Sequence, residues 1–318
     1  MDSESYEFRK FQTADFAAIN ALYFEEYGKD YPYALNSSRD DLTHFSTVTL
    51  YEDVIIGFAR ATPYRNHKDI FEFGGLIVAR AYREHGLARK LTDIRLLSVL
   101  KENPRIIFSE PVCNRPDKAS QLNLIHHGFK YLGLRPFKYP AIKQRILGEQ
   151  GESVALAAQY YQADGFGTRP VYVTDDYIPF LEALPNLCKM YSDTRPMQAV
   201  FPGVQSRQGM TAGNLEGSSF VHIPLNWMEA RVMINHFRNQ GYLFSGILPG
   251  YGRTESGEIF DYITLYKPPR PILYDFALVH VIPEMEALKK LMEQEYLSTF
   301  AHFQAKKPAV QRRLAVAY

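Results

Sequence analysis

The chain is short of cysteine, of tryptophan and of net charge, and each shortage excludes something. Its 318 residues contain two cysteines, Cys113 and Cys188, far apart in sequence. That is neither a disulfide framework nor a metal-ligand spacing, so both read as reduced thiols of a cytoplasmic protein. Cys188 falls in an apolar helical stretch and reads as buried, whereas Cys113 falls in a loop. Lysine and arginine total 36 against 35 aspartates and glutamates, a formal net charge of +1. A nucleic-acid binder or a polybasic membrane-surface protein would be clearly basic, so neither partner is expected. The opening residues Met1-Asp2-Ser3-Glu4-Ser5 lack the basic and apolar regions of a secretory signal. No apolar run is long enough to cross a bilayer. The patterns HExxH, CxxC and GxSxG are absent, and His222 and His236 lie on different elements, so no metal site is expected.

What is present is a chain of about two domains' length, taking roughly 150 residues for each. Hydrophobic residues make up 46%, which excludes a disordered chain. The 22 tyrosines and 21 phenylalanines suit strand-rich cores, clefts or interfaces. The first half reads as a strand at 6–11, a helix at 14–23 behind a Thr13-Ala14-Asp15 cap, and strands at 46–51, 54–62 and 69–78. A helix at 87–100, a strand at 105–110, a helix at 118–127 closed by Gly128, and strands at 129–139 and 153–161 follow.

The stretch from Phe73 to Leu91 carries the chemistry. An apolar strand containing Gly74-Gly75 runs into a turn with Arg83, Gly86 and Ala88, and then into an amphipathic helix. Paired glycines in a strand hint at a bulge or a close backbone approach. Small residues at 86 and 88 let a bound group come near the backbone. The unpaired amides of the first helical turn, with the helix dipole, suit a phosphate or pyrophosphate. Seven basic residues (Arg80, Arg83, Arg89, Lys90, Arg95, Lys101 and Arg105) face only Glu84, Asp93 and Glu102 over this region. The surplus supports a polyanionic ligand. Neither GxxxxGK[ST] nor a strand-linked GxGxxG is present, and a plain glycine turn would also explain the pattern.

Val78-x4-Arg83-x2-Gly86-x-Ala88 resembles the acetyl-CoA signature of the GNAT N-acetyltransferases, (Q/R)xxGx(G/A), with its preceding strand. The order of elements over about residues 5 to 160 is similar to that family. The resemblance implies an α+β fold, a mixed, mostly antiparallel central sheet flanked by helices, and acetyl-CoA or another acyl-CoA as co-substrate. It implies that the backbone amides of Arg83, Glu84, His85, Gly86, Leu87 and Ala88 hold the CoA pyrophosphate. Ile77 and Val78 would pair with the pantetheine arm, and donors near Leu76 to Val78 would stabilise the tetrahedral oxyanion. Asn114 and Ser120 are further candidates for pantetheine or adenosine contacts. Glu72 and then Glu110 are the candidates for the base that takes the proton of a small-molecule or peptide amine. The family's tyrosine acid, four residues before the Gly of the Gly-Phe pair, is replaced by Leu124. That departure keeps open a non-catalytic acyl-CoA sensor or partner-binding module beside the N-acyltransferase.

The second half lacks the cofactor turn but echoes the later elements. Ile106 to Pro111, a helix and Gly128-Phe129 parallel Phe220 to Pro224, a helix and Gly241-Tyr242, over the same interval. Two tandem copies are expected: residues 1–162 as the acyl-CoA-binding domain and 163–318 as a second, degenerate one. A linker near 163–167, a strand at 170–174 and a helix at 175–190 open the second copy. Its glycine-rich stretches, Gly203 to Gly217 and Leu248 to Gly257, read as loops, the latter presenting Tyr251 and Arg253 as a candidate site. Residues 283–304 read as a helix packed on the surface.

Overall fold

The structure is a computed structural model that describes residues 6–31, 34–35, 45–64, 67–139, 142, 151–160, 170–184, 211–215, 218–254, 256–268 and 273–315. It is a mixed α+β fold, mostly antiparallel. The chain divides into two compact units: residues 1–130, 141–152 and 156–164 form unit 1, and 131–140, 153–155 and 165–318 form unit 2. The expected linker at 163–167, Cys188 and the stretch 203–210 lie outside the described residues.

Unit 1 contains β1 (Glu7–Lys10), α1 (Phe16–Tyr27), β2 (Ser46–Tyr51), β3 (Val54–Pro63), β4 (Ile70–Val78), α2 (Leu87–Leu100), β5 (Ile106–Ser109) and α3 (Ala119–His126). Most of β7 (Glu152–Tyr160) also belongs to it, while β6 (Lys130–Tyr139) falls almost wholly in unit 2. The strands of unit 1 run in the order β1-β2-β3-β4-β5-β7. Every neighbouring pair is antiparallel except β4–β5, which is parallel. The β2–β3 hairpin turns on Glu52-Asp53, both at positive φ (48° and 63°), as a two-residue loop with right-twisted strands requires.

The two helices that matter pack on separate faces. Ile19, Leu22 and Tyr23 of α1 are buried with Val48, Leu50, Phe58 and Ile77. Leu87 and Leu91 of α2 are buried with Ile56, Ala59 and Val78. Alternation along β3 and β4 thus feeds two apolar layers from one pair of strands. His126-His127 ends α3, and His127 is spoken for: its Nδ1 contacts the Asn123 carbonyl at 2.6 Å and its Nε2 the Asp93 carboxylate at 3.1 Å.

Unit 2 contains α4 (Ile178–Glu182), β8 (Thr211–Leu215), β9 (Ser218–Pro224), α5 (Ala230–Asn239), β10 (Leu243–Arg253), β11 (Ile259–Lys267) and α6 (Glu286–Ala315). Its strand order is β6-β10-β11-β9-β8. Glu295 anchors α6: its carboxylate accepts the Tyr177 hydroxyl at 2.8 Å and the Phe244 amide at 2.9 Å.

Four expectations for this half are corrected in whole or in part. Residues 170–174 make only an isolated bridge at Val171, and of the helix expected over 175–190, 175–182 are a short 3-10 turn followed by α4, while 185–190 lie outside the described residues. Thr211–Leu215, expected within a loop, is a strand. Of the expected loop, Leu248 to Arg253 is instead the end of β10, with Tyr251 buried, and only the part beyond it turns, where the Gly257 amide donates to the Thr254 carbonyl. Its glycines serve packing: a Cβ on Gly252 would stand 2.1 Å from the Phe260 ring. A register shift between Leu248 and Gly252 absorbs the extra residues.

Both halves close a helix on the same cap. Gly128 (φ 83°) donates to the Ile125 carbonyl and Phe129 to Leu124; Gly241 (φ 86°) donates to Arg238 and Tyr242 to Phe237. Each is a Schellman pair, with glycine at the left-handed position.

Candidate functional site

The site begins where β4 loses a partner. β4 and β5 pair from Ile70↔Ile106 to Phe73↔Ser109 and no further. The Ser109 hydroxyl donates to the Phe73 carbonyl at 2.8 Å at that last pair. On its other edge β4 bulges: Gly74 opposes Arg60, but Ile77 opposes Phe58, so β4 spends one extra residue there. Gly75, at φ 62°, takes the strain.

The bulge decides which backbone groups face the gap. The Tyr64 amide donates to the Ile70 carbonyl and the Ala79 amide to the Ile56 carbonyl. Counting by twos from each, Gly74 and Ile77 turn toward β3, whereas Leu76 and Val78 turn away from it. The Val78 carbonyl accepts Arg83 Nε at 3.1 Å on that side. Of the two residues expected to face a pantetheine arm, Ile77 therefore spends its backbone on β3. Leu76 and Val78 are the pair that faces the gap.

The turn after β4 is a short 3-10 segment, Arg80–Tyr82, followed by Gly86 as the left-handed N-cap of α2 (φ 75°). Glu84 is also left-handed (φ 69°). The Lys90 amide closes the first bond of the helix, onto the Gly86 carbonyl. Gly86 is exposed and a Cβ there would meet nothing within 4 Å. His85 contacts the Tyr6 hydroxyl at 2.6 Å through its Nδ1. The amides of Arg83 to Ala88 thus sit on an exposed turn opening into a helix, Leu87 alone being buried.

Three arginines meet one carboxylate beside this turn. Glu26, near the end of α1, accepts Arg80 at 3.0 Å, Arg83 at 2.7 Å and Arg115 at 2.9 Å. Burial alone would raise its pKa, but the hydrogen bonds from Arg83 and Arg80 outweigh that and hold the carboxyl below its ordinary range. Arg115 follows β5 and Arg80 and Arg83 follow β4, so Glu26 joins the two lips of the gap. Neighbouring aromatic rings line the end of α1: Tyr27 and Tyr31 stack at 4.6 Å, and Tyr23 and Tyr31 at 5.4 Å.

Glu152, the first residue of β7, escaped sequence reasoning. It is buried, and burial together with the Glu26 charge pushes its carboxyl up to about 8. Burial, with Glu152 close by, also pushes the Tyr27 phenol well above 10. The β5–β7 pairing ends at Ser109↔Ala157, so Glu152 stands five residues past it, at the end of the sheet where the gap opens. A polar residue opening a strand reads as exposed, and only tertiary neighbours reveal otherwise.

The other candidates are placed as follows. Glu72 shares the α1 face with Arg60: a Cβ on Gly74 would lie 3.5 Å from Arg60 Nε and 4.0 Å from Glu72 Oε1. Glu110 directly follows the last β4–β5 pair and is half-buried. Asn114 is buried in the loop after β5, and the Ser120 hydroxyl donates to the Val112 carbonyl of that loop at 3.4 Å. Cys113 is buried there too, its thiol against the Pro111 carbonyl. Leu124 is buried in α3. In unit 2, an open polar cavity of about 360 Å³ lies between α5 and α6, lined by Asn235, Arg238, Asn239, Tyr242, Glu295 and Thr299.

Residues 12–102 match the model of the family described as Acetyltransferase (GNAT) family. No curated protein matches the chain. Among solved structures it is similar to yncA of Salmonella typhimurium, determined with its cofactor acetyl-CoA, at 16% identity and TM-score 0.41, over 50% of this chain and 95% of that one. It is similar to the ribosomal-protein-S18-alanine N-acetyltransferase of Escherichia coli at 16% identity and TM-score 0.39, over 49% and 94% of the two chains. It is also similar to Arabidopsis thaliana Naa50, in complex with a bisubstrate analogue, at 15% identity and TM-score 0.40, over 49% and 99%. Among the described residues no helix is long and apolar enough to cross a membrane.

Proposed function

We propose that unit 1 transfers an acetyl or other acyl group from acyl-CoA to an amine by direct attack. One observation carries the reading: a family-matched strand loses its partner after Phe73, bulges at Gly75 and runs into a helix capped by an exposed left-handed glycine. CoA would lie along that gap. Its pyrophosphate would meet the amides of Arg83 to Ala88, and its pantetheine arm the backbone of Leu76 and Val78. The Leu76 amide would meet the thioester oxygen, where negative charge develops as the amine attacks. Direct attack requires no enzyme nucleophile, and Cys113 is buried against its own loop.

An alkyl ammonium must lose a proton before it attacks, and a base works best when its pKa lies near the working pH. Of Glu72, Glu110 and Glu152, we place Glu152 first, because its carboxyl is pushed up to about 8 at the end of the sheet where the gap opens. Unit 2 would be a degenerate copy without the cofactor turn. The repeated strand–helix–glycine–aromatic segment, with matching Schellman caps at Gly128 and Gly241, supports that descent.

A second reading, an acyl-CoA sensor without turnover, is favoured by one residue: Leu124, buried and inert, stands where the family carries an acid. Release of free thiol from acetyl-CoA over a panel of small and peptide amines separates the two. Turnover on any acceptor supports the transferase. Calorimetric binding of acetyl-CoA with no turnover across the panel supports the sensor. No binding heat at millimolar acetyl-CoA sinks both.

A further inference from the structure

We propose that Tyr23 and Arg95 are positioning residues that clamp the Gly75 bulge of β4 from opposite faces of the sheet and so aim the Leu76 amide into the gap; this rests on the acyl-CoA reading above. From the α1 face, the Tyr23 hydroxyl donates to the Gly75 carbonyl at 2.8 Å. From the α2 face, Arg95 Nη1 reaches the Gly74 and Arg60 carbonyls, each at 3.3 Å. The guanidinium lies 4.3 Å from the centre of the Phe73 ring, on the last residue that β5 still pairs.

In a trans peptide the carbonyl and the amide hydrogen point opposite ways. A donor fixed on the Gly75 carbonyl therefore fixes the direction of the Leu76 N–H. A donor on the Gly74 carbonyl does the same for the Gly75 N–H. Accepting a hydrogen bond also polarises the peptide unit, which makes its own amide a stronger donor. Glycine is needed for the arrangement, because a Cβ at 75 would stand 2.8 Å from the Tyr23 hydroxyl.

Arg95 is hard to explain as packing. It is fully buried, no carboxylate pairs with it among the described residues, and its Nε has no partner. Burial pushes its pKa down to about 9, which still leaves it charged at neutral pH. A buried, unpaired cation is costly, and an apolar side chain would fill the same space under α2 without that cost. Held against the Gly74 and Arg60 carbonyls, it fixes the peptide next to the one whose amide would meet the thioester oxygen.

The test uses the full chain and acetyl-CoA labelled with ¹³C at the thioester carbonyl. Infrared spectroscopy reads the carbonyl stretch of the bound molecule, and calorimetry gives the affinities for acetyl-CoA and for CoA. In the wild type the stretch is expected below its solution position. Tyr23→Phe removes one hydroxyl and keeps the ring. It should leave CoA affinity within about two-fold, weaken acetyl-CoA relative to CoA by about three- to ten-fold, and return the stretch toward its solution value. Arg95→Lys should lose less of the shift than Arg95→Met, since it keeps the charge. A merely structural role would weaken both ligands together and leave the bound stretch where it was. A folded Tyr23→Phe protein with the wild-type stretch overturns the clamp, whatever the Arg95 variants do. A wild type that binds acetyl-CoA with an unshifted carbonyl overturns the clamp alone, whereas one that binds no acetyl-CoA overturns the cofactor reading beneath it.

Discussion

Replacing Glu152 by glutamine tests the electrostatics of unit 1 without needing any substrate. The Glu152 carboxyl is pushed from an ordinary 4.5 up to about 8, first by burial and then by the negative charge of Glu26. Because the folded-state pKa is raised, the folded protein holds a proton between these values that the unfolded chain releases. The stability tied to that proton is fully present below about 4.5, declines as pH rises, and is gone above about 8. At about 1.4 kcal/mol per pH unit the interval sets a ceiling of about 5 kcal/mol, and relaxation or water entry would bring it to a few. Glutamine keeps the shape and does not titrate, so Glu152→Gln should match the wild type near pH 5 and exceed its stability by a few kcal/mol near pH 9.

The single tryptophan, Trp227, lies in unit 2, so its fluorescence is the wrong probe. Hydrogen exchange of the α1 amides, corrected for intrinsic rates, reads unit 1 directly. Stability profiles of the two proteins that run parallel from pH 5 to pH 9 would refute the reasoning. If Glu152 is also the base, the rate of acyl transfer should rise to a plateau near pH 8 in the wild type, and Glu152→Gln should lose that limb.

Gly86→Glu should abolish calorimetric CoA binding with the fold retained, since it sets a carboxylate on the turn proposed to meet the CoA pyrophosphate; Gly86→Ala, the control, should cost only about 1–2 kcal/mol for its left-handed φ in a melting experiment. Unchanged CoA affinity in Gly86→Glu would displace the cofactor from this turn. Glu26→Gln should flatten the acid limb of unit 1 stability: the carboxyl is held below its ordinary 4.5, so its contribution is present above that value and lost as pH falls below it. Hydrogen exchange of α1 between pH 3 and 6 reads the change, and an unaltered limb would remove Glu26 as the arginines' anchor. Gly133→Ala should cost unit 2 about 2–3 kcal/mol, because its Cβ would stand 2.2 Å from the Ser245 carbonyl where β6 and β10 cross. Denaturation followed by Trp227 fluorescence measures it, and a loss below 1 kcal/mol would mean the two strands part easily.

What the sequence disclosed and what it hid follow one physical rule. The strand, turn and helix from Ile70 to Leu100 were legible because their signals are local: an apolar run, small residues at a turn, and a 3.6-residue apolar stripe. The bulge was half legible. Gly74-Gly75 announced an irregularity, but the one extra residue flips every backbone direction beyond it, so Leu76 rather than Ile77 faces the gap. Glu26 was not legible. Nothing distinguishes it from Glu25 in sequence, and its three arginines lie 54, 57 and 89 positions away. Gly250 and Gly252 misled, because glycine marks a turn and equally a strand that must make room for a ring such as Phe260.

Charge shows the same separation between counting and placement. Seven basic residues between Arg80 and Arg105 read in sequence as one anion-binding surplus. Folding disperses them. Arg95 is buried beneath α2, and Arg105 is buried and paired with Asp69 at 2.9 Å. In their place the fold brings Arg115, from beyond β5, to the carboxylate that already holds Arg80 and Arg83. Glu26 and Asp117 oppose these three cations, so the pairing leaves a local excess of positive charge on a chain whose formal total is +1. Each guanidinium carries five N–H donors, more than these contacts use. A pyrophosphate arriving at the Gly86 turn would meet arginines already oriented by Glu26, and salt should weaken its binding accordingly.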